Sequence, residues 1–188
     1  MKSFKIPSLL ITLLATTFGC SSLTAEVKPE VKINDTNQVA VVNAEPRFNL
    51  CLNNNKCSRL GAKWDKENPD VVTLVVEYSS GVSIEEANLV VDGKALPLIS
   101  GQVETSYRPL LPYSEHTPKN TLTSINSYDV SMEMFKKVLS AKELSISLEL
   151  SDADKRHRKY YVDRISTDNK KGGGYKALES LMTAIEKA

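Results

Sequence analysis

Leu144, Ile146, Leu148 and Leu150 alternate without a break with Ser145, Ser147, Glu149 and Ser151. Only an extended strand sends successive side chains to opposite faces, so this stretch predicts a strand with one side against a core and the other in water. A strand needs neighbours, and the chain supplies them. Val71 to Tyr78 reads VVTLVVEY, too short for a typical helix and rich in β-branched residues, which predicts a central strand. Leu89-Val90-Val91 and Lys94-Ala95-Leu96-Pro97-Leu98 flank Asp92-Gly93, the pair that suits the two positive-φ positions of a type I′ hairpin turn. Pro97 lacks an N–H and places its strand at an edge or a bulge. Further strands are expected at Val39 to Val42, Gln102 to Arg108, Leu122 to Val130 and Lys159 to Ser166.

Two helical patterns interrupt the strands. Ser131 is a candidate N-cap, followed by Met132, Phe135, Val138 and Leu139 at helical spacing. Near the end, Tyr175, Leu178, Leu181, Met182 and Ile185 share one helical face, with Lys176, Glu179, Thr183 and Glu186 opposite. The expected fold is therefore α+β: mostly antiparallel β, sandwich-like, with two short helices at about 131–141 and 174–187. Lys170-Lys171-Gly172-Gly173-Gly174 precedes the second helix without a Walker order, and reads as a flexible, solvated connection rather than a phosphate loop.

The first twenty residues follow a different logic. Lys2 and Lys5 precede an apolar run from Ile6 to Phe18 that is shorter than a membrane span, the build of a secretory signal. The run ends in Thr17-Phe18-Gly19-Cys20, which resembles the lipobox of bacterial lipoprotein precursors. The resemblance implies cleavage before Cys20, lipidation of its thiol and acylation of the new amino group. Ser21 in place of aspartate implies sorting to the outer membrane in a Gram-negative host. An ordinary secretory cut after a small residue such as Ala25 is the alternative, and it would remove Cys20. Residues 1–19 are thus expected to be the signal peptide, and 20–37 a lipidated N-terminus and flexible tether. Residues 38–188 are expected to form a single β-rich periplasmic domain. An extended tether of that length reaches roughly 50 Å.

In the oxidising compartment that follows from export, Cys51 and Cys57 form an even pair whose simplest state is a disulfide, closing a short loop worth roughly 2–3 kcal/mol. The spacing is not that of a Cys-x-x-Cys redox motif, and a zinc site would need further ligands from a chain with only His116 and His157. No metal site and no cofactor are expected. The 24 basic side chains nearly balance the 23 acidic ones, so nothing points to nucleic acid.

No Gly-x-Ser-x-Gly elbow is present, and a histidine base has only two candidates. Glu85 with Glu86, and Asp152 with Asp154, are weak carboxylate pairs, because neighbours on a strand diverge and aspartates are common in turns. The expected binding surface comprises Tyr107, Tyr113, Glu115 and His116 in or beside the loop bounded by Pro109 and Pro118, together with Arg156 and Arg158 in a basic turn. The expected function is a non-catalytic, lipid-anchored envelope module, held at the membrane by its lipid, that binds another envelope protein or supports an assembly. An inhibitor or ligand-binding lipoprotein is the alternative, and a periplasmic hydrolase the third reading.

Overall fold

The computed structural model describes residues 28–33, 39–50, 57–79, 81–108, 121–152 and 158–188. In chain order these form β1 (Glu30–Ile33), β2 (Val39–Phe48), β3 (Ser58–Asp65), β4 (Val71–Ser79), β5 (Ser83–Val91), β6 (Lys94–Leu98), β7 (Ser100–Arg108), β8 (Thr121–Ser131), α1 (Met132–Leu139), β9 (Leu144–Ser151), β10 (Arg158–Thr167), β11 (Lys170–Lys171) and α2 (Gly173–Ile185). The strands make two antiparallel sheets, a six-stranded one ordered β1-β2-β3-β4-β8-β7 and a five-stranded one ordered β11-β10-β9-β5-β6. The fold is α+β, mostly antiparallel and sandwich-like, with two short helices.

Alternation decides which side of each strand is inside. Val72, Leu74, Val76 and Tyr78 of β4 face the interior beside Leu60, Ala62 and Trp64 of β3 and Tyr128 and Val130 of β8. From the other sheet come Leu89 and Val91 of β5 and the four aliphatic residues of β9. Each such side chain, taken fully out of water, contributes about 1.5–3 kcal/mol. The five-stranded sheet covers only part of the larger one, with β5 and β6 over β8. The rest of the second layer is α2, whose Tyr175, Leu178 and Leu181 pack on β2 and β3. Ser131 caps α1 by accepting a hydrogen bond from the Met134 N–H at 3.1 Å.

Two polar ties cross the interior. The Asp163 carboxylate of β10 accepts from the Ser58 N–H at 2.7 Å, the Ser58 hydroxyl at 2.5 Å and the Tyr161 hydroxyl at 2.9 Å. Ser58 in turn accepts from Asn49 Nδ2 at 2.9 Å. On the other side, Asn126 of β8 donates to the Ile84 carbonyl and Ser124 accepts from the Ile84 N–H, both at 3.2 Å. A buried polar group costs stability unless paired, and both ties pair such groups across the sheets, through Ser58 with Asp163 and through Ser124 and Asn126 with Ile84.

Asp92 (φ 48°) and Gly93 (φ 80°) form the expected positive-φ turn, and Pro97 lies on the edge strand β6. Three expectations need correction. Residues 30–33, assigned to the tether, form β1 hydrogen-bonded to β2, so the sheet begins earlier than expected. Ser58–Asp65 is a strand that the apolar pattern did not reveal, because Gly61 and Lys63 break its outer side. The stretch from Lys170 to Gly174 is no solvated connection. Lys170 and Lys171 pair with β10, and the glycines press on the chain of residues 47–50, where a Gly172 Cβ would lie 2.8 Å from the Ile165 carbonyl and a Gly173 Cβ 2.9 Å from that of Phe48. These glycines let α2 start in backbone contact with the end of β2.

Candidate functional site

Beyond Asp163 and Ile165, which point inward, β10 sends Arg158, Tyr160, Val162 and Arg164 to the other side, and all four are exposed. Tyr160 is 77% and Val162 59% accessible, high for side chains of their size in the middle of a paired strand. Among the described residues, their cross-strand neighbours explain why they stay uncovered. Tyr160 lies opposite Glu149, Val162 opposite Ser147 and Arg164 opposite Ser145, and beyond β9 come Glu86, Asn88 and Val90 of β5. Ser147 is too short to cover the valine, and Glu149 is held by Arg158, so the ring and the valine stand proud of the surface.

One end of this stripe is fixed in place. Arg158 reaches Glu149 at 2.7 Å, and that hydrogen bond raises the guanidinium pKa further. Ser151 donates to Glu85 at 2.5 Å beside it. Glu85 falls where the pairing of β5 with β9 slips by one residue, between Ile84 and Glu86, so the two glutamates are part of a bulge. Arg–Tyr–Val–Arg at period two on an open sheet combines the residue types that carry protein–protein contacts, an aromatic anchor with guanidinium donors at either side.

The outer face of the six-stranded sheet differs in shape. Glu45 of β2 and Glu104 of β7 line one hollow of about 240 Å³, although three strands separate β2 from β7 in the sheet. The sheet therefore curls across its width. Val75 and Ile125 form part of the lining, Glu77 is only 1% exposed, and Lys63 stands among the carboxylates. The Arg59 guanidinium lies 3.5 Å from Glu77 and stacks over the Phe48 ring at 4.3 Å. Gly61 makes the curl feasible, since a Cβ there would sit 2.5 Å from the Ala44 carbonyl oxygen and 2.6 Å from Pro46 N, where β2 carries an extra residue. A second hollow of about 240 Å³, lined by Asp65, Thr73 and Asp129, shares Lys63 with the first.

Of the residues expected to bind, Arg158 lies on the exposed stripe. Tyr107 is on β7, an edge of the other sheet, paired with Leu122, and the fold does not place it in the same sheet as Arg158. Tyr113, Glu115, His116 and Arg156 lie outside the described residues, as do Cys20 and Cys51. Cys57 is disulfide-bonded. Tyr161, next to the stripe, turns inward to Asp163 and packs against Tyr78 at 5.2 Å; burial, then the hydrogen bond to Asp163, raises its hydroxyl pKa well above the ordinary tyrosine value.

Sequence reasoning missed Tyr160, Val162 and Arg164. Neither parity of the segment 158–165 is apolar throughout, so alternation alone did not say which set faces out; the buried Ile165 at the strand's end was the available signal. Among the described residues, no group of three or more His, Cys, Asp or Glu is placed to hold a metal, and no helix is long and apolar enough to cross a membrane. No protein-family model matches the chain, and no curated protein matches it.

Proposed function

We propose that the protein is exported, lipidated on Cys20 and held at the outer membrane, where it acts as a non-catalytic module that binds another envelope protein through the outer face of the five-stranded sheet. The observation that carries the binding part is the pair Tyr160 and Val162, exposed between Arg158 and Arg164 on one strand. The anchoring part rests on the Gly19-Cys20 signal. Several acyl chains on one residue give stable attachment where a single chain gives only marginal binding. The stripe is flat and presented by sheet backbone, which suits another protein surface better than an enclosed small molecule. We also propose the Cys51–Cys57 bridge, which a mass difference on reduction tests directly.

The test is photo-cross-linking in intact cells, with a photoreactive residue at position 160 or, separately, at position 63 in the curled face, in the anchored protein and in a Cys20→Ala variant. One envelope protein captured from position 160 and weakened by Cys20→Ala is the expected result. Capture from position 63 alone would move the function to the hollow. The ligand-binding reading has that hollow in its favour, since a concave site of about 240 Å³ with convergent carboxylates and Lys63 suits a small cationic or peptide ligand.

A further inference from the structure

β1 is the outermost strand of the six-stranded sheet, and among the described residues no strand lies beside its outer edge. Among the described residues the other strand edges differ from it in sequence or cover. Pro97 interrupts β6, β7 starts with a slip between Ser100 and Val103 and then runs on, and β11 covers only Ser166 and Thr167 of β10, so what sets β1 apart is its self-complementary sequence. β1 carries no proline, its four residues are all exposed, and Val31 (44%) and Ile33 (60%) leave apolar surface in water.

Its sequence is complementary to itself. Two copies of β1 laid antiparallel with Val31 opposite Val31 bring Glu30 of each opposite Lys32 of the other. The isolated strand already holds these charges on one side, with Lys32 Nζ 4.0 Å from Glu30 Oε1, and Val31 on the other. A two-fold axis through Val31 thus joins two valines and forms two opposite-charge pairs, with no like charges facing each other. We propose that the protein forms a symmetric dimer through β1, joining two six-stranded sheets into one continuous sheet. The partner is a second copy of this chain, chosen by the Glu30–Lys32 complementarity.

Four residues make few hydrogen bonds, so such a pair needs help to persist. Confinement of both copies to one membrane raises their effective concentration. That help rests on the anchoring proposed above, whereas the register depends on β1 alone. The surface on β10 belongs to the other sheet and stays free in the dimer.

The register gives a specific test. Opposed residues in an antiparallel pair lie within the Cα separation a disulfide needs. In the full-length protein in its membrane, Val31→Cys, the only position meeting its own copy, is expected to form a covalent dimer under mild oxidation. Glu30→Cys and Lys32→Cys are expected to cross-link only when the two variants are co-expressed. Glu30→Lys should weaken the Val31→Cys cross-link by roughly tenfold, and combining it with Lys32→Glu should restore it. Equal cross-linking at all three positions, no dimer at position 31, or capture of a different protein there would overturn the proposal. A dimer in the anchored protein but not with Cys20→Ala supports both the register and the role of confinement. Because Cys20 lipidation is read separately by labelled fatty acid, a protein that lacks lipid yet cross-links at position 31 keeps the dimer and removes only the anchor.

Discussion

The two sheets obey the same alternation, yet side chains on their outer faces are covered very unevenly. On the six-stranded sheet the outward side chains Val75, Glu77 and Ile125 are buried, whereas on the five-stranded sheet the outward Tyr160 and Val162 are in water. The cause is curvature. The extra residue between Ala44 and Arg47 and the slip between Ser100 and Val103 bend the larger sheet across its width, so its own rim shades its middle. On the smaller sheet the outward Glu149 and Ser151, beside the Ile84/Glu86 slip, are also covered, while Tyr160 and Val162, away from both its slips, stay open. Period two tells which residues point outward; the bulges decide whether outward means wet.

The largest test of that contrast is to oppose the curl. Gly61→Val drives a side chain into the backbone of residues 44–46 and is expected to destabilise the protein by about 3 kcal/mol. Ser147→Val, on the flat face, should move the urea midpoint by no more than about 0.5 kcal/mol of stability. Equal effects would mean the curl is incidental.

The two Glu–Arg pairs sharpen it next. Glu77 is almost wholly buried and Arg59 mostly so, while Glu149 is buried but Arg158 is 63% exposed. Glu77→Ala is expected to cost about 2 kcal/mol, because Arg59 keeps a largely buried charge with its partner gone. Glu149→Ala should cost clearly less than Glu77→Ala, since Arg158 turns to solvent. Chemical denaturation of the two variants measures the difference.

Between the faces lies the closed interior, and pH probes it. Burial pushes the Tyr128 hydroxyl up to about 12, against the opposing effect of Asn126. The folded state thus holds this proton where the unfolded chain releases it. That stability is fully present below pH about 10 and is lost as pH rises from there toward 12, on the order of 1–2 kcal/mol. Tyr128→Phe should flatten this part of the alkaline decline, seen in the denaturation midpoint against pH. The smallest stability effect belongs to the open stripe. Tyr160→Ser with Val162→Ser should change stability within about 0.5 kcal/mol while weakening partner binding at least tenfold, about 1.4 kcal/mol. A large loss of stability would show that the stripe is part of the core after all.

Legibility in the sequence followed the same division. The strand Leu144–Ser151, the Asp92-Gly93 turn and both helices were readable because each depends on local periodicity or local φ preference. β3 was not, because Gly61 is there for a contact with a strand more than ten residues earlier. The three glycines at the start of α2 looked like slack chain for the same reason. Their requirement comes from residues 47–50 and is invisible to any window around residue 173. At the candidate site, Arg158 was found through its charge, while Tyr160 and Val162 needed the register between β10 and β9 to be recognised as outward.

Asp163 carries one more implication. An interior of leucines, valines and isoleucines is nearly indifferent to sliding one sheet over the other by a residue pair, since one aliphatic side chain fills much the same space as the next. The carboxylate is not indifferent. A shift of β10 by two residues would bring Tyr161 or Ile165 to Ser58 and strand the Ser58 N–H and hydroxyl hydrogen, which Asp163 now accepts at 2.7 and 2.5 Å. A single acidic side chain thus acts as a vernier mark for the whole sandwich, fixing the offset at which β10, and with it the outward Tyr160, comes to rest.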